Sequence, residues 1–252
     1  MSFYTSTQRA MQERFEDTAL ANRLEQSIVC EELDDDHRAF IADRDFFFLS
    51  TVDEHGMPTV SHKGGPVGLV TIVDSRTLAF PTYDGNGMHL SVGNVLDTGN
   101  VGLLFIDLEM PRRVRVQGTA TVSTDDPLIG IYPGAKAVVR VHLSHVFRNC
   151  GRYIHSHTRV ESSKHVPAGD ASQPIALWKR IDGLQDALGD DVVVGGDDGE
   201  GAQADLSHLA VMLADADPVA GAVGTLEHGD DPGDQGTDVI LEGETDGDGG
   251  GP

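Results

Sequence analysis

The sequence predicts a mainly β fold: an antiparallel barrel with flanking helices and a disordered acidic C-terminal tail. Three observations lead there. Short β-branched and aromatic segments, separated by turn residues, fill the chain from Phe46 to Phe147. One helical pattern alone interrupts them, which argues against alternating strand–helix units and a parallel sheet. The charge is split along the chain. All 18 Lys and Arg lie in residues 1–180, whereas residues 181–252 hold 19 of the 41 acids and no base.

The N-terminal stretch reads as helix. Met11, Phe15, Ala19, Leu20, Leu24 and Ile28 recur at helical spacing in a charged background. A second helix is expected over Asp36–Asp43, after the acidic run Glu31–Asp36 with its capping carboxylates. Strands follow: Phe46–Val52, the turn Asp53–Gly56, and a return strand over Pro58–Lys63. Val67–Val73 and Thr77–Pro81 flank Asp74-Ser75-Arg76 as a second hairpin. Met88–Asp97 reads as a helix stopped by Thr98-Gly99-Asn100. Val101–Ile106 is a buried strand. Arg113–Val122 alternates, with Val114, Val116, Ala120 and Val122 on one face and Arg113, Arg115, Gln117, Thr119 and Thr121 on the other. Ala137–Phe147 is the seventh strand, and Cys150–His157 is expected to be helical.

The organisation that follows is an N-terminal helical segment (1–44), a barrel domain (45–186) and an acidic tail (187–252). The tail has no aromatic residue and is too charged to repay the entropy of ordering. Function is expected in residues 1–186.

A formal charge of −23 argues against nucleic acid and anionic membrane as partners, since a phosphate-binding surface must be basic. No apolar run reaches the ~20 residues of a membrane span, and the N-terminus is polar. With two cysteines, Cys30 and Cys150, a reduced, cytoplasmic protein is expected. The excess of acid, with Asp over Glu and Arg over Lys, fits a halophilic source whose surface stays solvated in concentrated salt.

Candidate chemistry is sparse. Thr82-Tyr83-Asp84-Gly85-Asn86-Gly87 joins a strand to a helix start, where free backbone N–H groups and the helix dipole can hold a phosphate. His62 and Lys63, followed by Gly64 and Gly65, add charge at the end of another strand. Arg113, Arg115 and Gln117 present donors along one strand face. The late His142, His145, Cys150, His155, His157 and His165 match no zinc spacing, so no metal is expected. No nucleophile elbow, phosphate-binding lysine loop or acid–base pair stands out. Any hard chemistry therefore belongs to a cofactor.

Several runs resemble the pyridoxamine 5′-phosphate oxidase-like family of FMN-binding split barrels. They are Phe48–Ser61, Thr77–Thr82, Val101–Asp107 and Arg112–Ala120. An uncharacterised flavin-nucleotide-binding branch is the nearer likeness, through Lys63-Gly64-Gly65-Pro66, Phe80–Gly87, Phe147–His155 and Trp178–Asp182. The resemblance covers residues 38–186 and implies a homodimer with FMN held between its subunits.

It also implies site residues. Thr59, Ser61, His62 and Lys63 would run beside the flavin ring and ribityl chain, and Pro81, Thr82 and Tyr83 would close from the neighbouring strand. Asn86, Gly87 and Met88 would meet the phosphate, and Arg113 and Arg115 would reach across the dimer. The family's oxidases carry an arginine near the position of Ser61 and a Ser-Arg-Lys run in place of Asp84–Gly87. Pyridoxamine phosphate is therefore not the expected substrate. The resemblance implies an FMN-dependent oxidoreductase acting on an unidentified small molecule, with Tyr83 and His62 as candidate proton donors. The alternative is a non-catalytic module binding a flavin nucleotide, or haem or deazaflavin, with His62 and His89 available to haem.

Overall fold

A computed structural model of the protein describes residues 3–167, 174–180 and 182–188; the acidic tail lies, from residue 189 onward, outside the described residues. The chain divides into two units, Met1–Ala176 and Leu177–Pro252. In the second, Leu177–Arg180 and Asp182–Ala187 are short 3-10 turns. Everything below concerns the first.

Two short helices, α1 (Ser6–Arg14) and α2 (Thr18–Ile28), stand where the periodicity predicts one. Glu16 breaks them apart with a left-handed φ of 59°, and neither glycine nor proline marks the place. A capping box, Thr5 with Gln8, starts α1. Strand β1 (Val29–Cys30) follows, then α3 (Asp35–Ala42), capped by the Asp34 carboxylate on the His37 N–H.

The barrel strands are β2 (Phe46–Val52), β3 (Pro58–Gly64), β4 (Thr71–Ile72), β5 (Thr77–Thr82), β6 (Asn100–Asp107), β7 (Arg112–Ser123) and β8 (Ala137–Asn149). They pair antiparallel in the order β3-β2-β6-β7-β8-β5-β4, and β1 adds to β8. No ladder joins β3 to β4 among the described residues, so the barrel is split there. This is the antiparallel split barrel the sequence predicts.

Alternation builds the core. Phe47 and Leu49 of β2, Leu103 and Phe105 of β6, and Val114 and Val116 of β7 point inward, and each is at least 98 % buried. The Phe47 ring lies 5.0 Å from Phe80 and 5.3 Å from Phe105, an aromatic cluster at the barrel centre. Each such side chain stabilises the fold by roughly 1.5–3 kcal/mol through burial. β7 and β8 slip by one residue between Gln117 and Gly118, a bulge that bends the long hairpin. A Cβ at Gly118 would lie 2.1 Å from the His142 carbonyl oxygen, so only glycine fits.

Three expected elements differ. The strand expected over Val67–Val73 shrinks to Thr71–Ile72, because Pro66 and Gly68 (φ 80°) turn the chain and Leu69 N–H donates to the Pro66 carbonyl. The helix expected from Met88 is α4 (Leu90–Asp97), and His89 at its entry is left-handed with φ 50°. Cys150–His157 is not helical. Gly151 brings the chain against the Pro111 carbonyl, Ile154 N–H donates to the Gly151 carbonyl in a single turn, and His157 N–H donates to the Leu108 carbonyl.

Candidate functional site

β3 presents alternate faces. Thr59, Ser61 and Lys63 stand opposite the buried Thr51, Leu49 and Phe47 of β2, so they share the inward side of that strand pair. Val60, His62 and Gly64 take the other side. The His62 imidazole stacks on Phe46 (5.4 Å between centroids) and meets Phe48 edge-on at 5.9 Å.

α4 crosses the inward side. Asn94, itself buried, donates through Nδ2 to Thr51 Oγ1 at 3.0 Å, and Thr98 Oγ1 donates to the Val52 carbonyl at 2.7 Å. These bonds pin α4 to β2 and bring Ser91 over β3. Ser91 Oγ lies 3.0 Å from Ser61 Oγ, and Lys63 Nζ donates to Ser91 Oγ at 3.3 Å. No side chain caps the helix. The N–H groups of Leu90, Ser91 and Val92 are therefore open, as the first-turn donors of any helix are.

These residues line a hollow of about 430 Å³. Its walls are Thr59–Lys63 of β3, Thr82 and Tyr83 at the end of β5, the loop 85–89 and the first turn of α4. In the loop, Met88 N–H donates to Asn86 Oδ1, a side-chain turn that sets up the left-handed His89. Asp84 is tied outward to Lys136 at 2.8 Å. The electrostatics favour an anion. Lys63 is half-buried and donates to a neutral hydroxyl, and no carboxylate lines the hollow. Burial pushes the Lys63 ammonium below its usual range and the Tyr83 phenol above its own.

Of the twelve residues implied as cofactor-binding, Thr59, Ser61, His62, Lys63, Thr82, Tyr83, Asn86, Gly87 and Met88 converge on this hollow. His62 borders it through the strand, with its ring on the far face. Pro81 is buried in β5 opposite Val138 and does not line the hollow. Arg113 and Arg115 lie on the outer face of β7, where Arg115 stands between Leu104 and Phe147. Arg113 lines a second hollow of about 450 Å³ between α3 and the ends of β7 and β8, and its Nε is buried without a hydrogen-bond partner. Ser91 and Asn94 are residues of this site that the sequence reading missed, and His89, named there only for haem, also lines the hollow. A serine three residues past the expected helix start at Met88 was a usable signal for the first.

Residues 33–149 match the family model of pyridoxamine 5′-phosphate oxidase. Through this segment, just under half of its length, the chain is similar to the pyridoxamine 5′-phosphate oxidase family. Both walls of the hollow, β3 and the start of α4, fall inside that segment. No curated protein matches the sequence. Among solved structures, the chain is similar to HupZ of Group A Streptococcus, at 21% identity and TM-score 0.39, covering 46% of this chain and 93% of that one. A pyridoxamine 5′-phosphate oxidase candidate from Lactobacillus delbrueckii is similar at 25% identity and TM-score 0.39, with 47% and 95% covered. An FMN-binding protein from Syntrophomonas wolfei is similar at 11% identity and TM-score 0.37, with 56% and 96% covered.

Among the described residues no group of three or more His, Cys, Asp or Glu is placed to hold a metal. No described helix is long and apolar enough to cross a membrane.

Proposed function

We propose that the protein is an FMN-binding flavoprotein, a homodimer that acts as an oxidoreductase on a small molecule. The observation that carries this reading is the half-buried Lys63, which donates a hydrogen bond to Ser91 in a hollow lined by no carboxylate. A cation so placed is stabilised by an anionic ligand, and the open N–H groups at the start of α4 favour the same charge. The volume of about 430 Å³ falls within the ~300–1,000 Å³ of small-molecule pockets.

The residues fit a flavin nucleotide. Lys63, Ser91 and the first-turn amides of α4 hold the phosphate; Thr59, Ser61, Thr82 and Tyr83 flank the polar chain and ring. Bound FMN supplies the capacity to accept and pass on a hydride. The protein binds and orients it, excludes water from one side, and keeps Tyr83 protonated through its raised pKa. The outer sheet face, with Arg113 and Arg115, meets the second copy.

One observation favours a second reading, a module that holds the nucleotide without turnover. The hollow has no carboxylate or thiol on its walls, and the His62 ring faces away from it. Anaerobic reduction of the FMN complex by a nicotinamide donor, then reoxidation by an added acceptor, separates the two. Turnover supports the oxidoreductase; binding without reduction supports the module. Failure to bind FMN overturns both.

A further inference from the structure

The α1–α2 hairpin carries more apolar surface than its own barrel covers. α1 has no buried residue, and Ala21 is the only buried residue of α2. Met11 and Phe15 are 42% and 66% exposed, and Leu20 and Leu24 are 57% and 40% exposed. Each pair is spaced i,i+4, Leu20 and Leu24 within α2 and Met11 with Phe15 at the C-cap of α1, so each lies along one side of its helix. Helices of nine and eleven residues are marginal alone and draw their stability from packing. Within the chain these two are held by polar ties: Arg9 bridges to Asn22 at 2.6 Å and to Glu25 at 2.5 Å. On a chain of net charge −23, four bare apolar side chains on one hairpin call for a covering surface.

The hairpin's roots locate that surface. Phe3 packs on Phe147 at 5.2 Å and on His145 at 5.1 Å, and β1 pairs with Val146 and Phe147. Both roots therefore sit on β8, on the side of the sheet where one row runs His62, Phe48, Leu104, Arg115, Phe147. Beside it, Val60 is 66% exposed and Phe48 and Leu104 are half-buried. The hairpin and this sheet face form continuous apolar ground with opposite charge at its edges. Glu13, Glu16 and Asp17 cluster at the hairpin tip, and among the described residues neither Arg113 nor Arg115 makes a salt bridge.

We infer that the hairpin is a dimerisation arm. Its Met11–Phe15 and Leu20–Leu24 stripes pack on the outer sheet face of a second copy, over Phe48, Val60 and Leu104, and its acidic tip meets that copy's Arg115. A two-fold axis makes the contact reciprocal, so each copy is both arm and platform. This inference rests on the homodimer reading above and adds the part of the chain that locks the dimer.

Sedimentation velocity of the full chain, without added flavin, tests it. The unaltered protein is expected to be a dimer. Phe15→Asp with Leu20→Asp on the arm, and separately Leu104→Asp on the platform, are each expected to raise the dissociation constant at least tenfold. A dimer of unchanged affinity in the arm variant overturns the arm while leaving a sheet-to-sheet dimer standing. A monomeric unaltered protein overturns both the arm and the homodimer, and FMN titration of that monomer then judges the flavin reading by itself. Amide exchange on the unaltered chain covers the case of a misfolded variant. Protection across Ser6–Ile28 is expected to rise with protein concentration, and concentration-independent exchange there overturns the arm.

Discussion

Lys63 Nζ lies 3.3 Å from Ser91 Oγ, which joins β3 to the first turn of α4 across 28 residues of chain. The same hydroxyl lies 3.0 Å from Ser61. Around this contact the hollow acquires its charge, its polar wall and its open helix start. The flavin reading therefore turns on Lys63.

A buried ammonium destabilises the ligand-free fold, and the sign can be worked out. The folded pKa of Lys63 lies below the usual 10.5, so its cost is full below the folded pKa and disappears as pH rises past the unfolded value. Lys63→Met is expected to raise the ligand-free Tm by about 2–4 °C, the response to roughly 1 kcal/mol in a domain of this size. The same change is expected to weaken FMN binding at least tenfold. A lower Tm together with undiminished FMN affinity contradicts the assignment.

Asn94 positions the anion-binding end of α4 through its bond to Thr51. Asn94→Ala leaves the buried Thr51 hydroxyl without its partner and is expected to cost about 1–3 kcal/mol in urea unfolding. FMN affinity should fall as well, because Ser91 loses its register over β3. Stability loss with full affinity would show that α4 is held by other contacts.

Asp126 is buried beneath Arg140, with Oδ2 at 2.5 Å from Nε and Oδ1 at 2.9 Å from Nη2. The Arg140 hydrogen bonds hold its carboxyl below the usual carboxylate range. Its contribution is present above the unfolded pKa near 4 and is lost as pH falls through the folded value. Asp126→Asn is expected to destabilise the protein by about 2–3 kcal/mol at neutral pH, less than a fully buried pair would, because Arg140 is partly exposed. The gap between the two proteins should shrink in acid. A gap that stays constant down to pH 3 rules out the pair as its source.

Gly118 has no room for a side chain beside the His142 carbonyl. Gly118→Ala is expected to destabilise the barrel by about 1–3 kcal/mol, with the bulge forced to shift. Denaturant unfolding measures it, and an unchanged midpoint would mean that the hairpin relaxes freely.

Much of the barrel is legible in the sequence because strand alternation is local. Val114, Val116 and Ala120 sort themselves from Arg113, Arg115 and Gln117 by period alone, and the structure buries the first set. The glycine-rich approach to α4 was legible for the same reason. What escaped depends on distant partners. Ser91 becomes a site residue only when Ser61 and Lys63 arrive from 30 and 28 residues away, and Asn94 only because Thr51 waits beneath it. β1 is two residues long and exists through its pairing with β8. Glu16 breaks the first helix without a breaker residue, so composition could not announce it. The shortened β4 was more accessible, since Pro66 and Gly68 both disfavour a strand.

The most direct test of the central claim is titration of FMN into the full-length protein in high salt, followed by flavin fluorescence, with Lys63→Gln beside it. The account predicts saturable quenching at one FMN per chain and at least tenfold weaker binding for the variant. A protein that leaves added FMN free, or a variant that binds it as tightly as the parent, contradicts it.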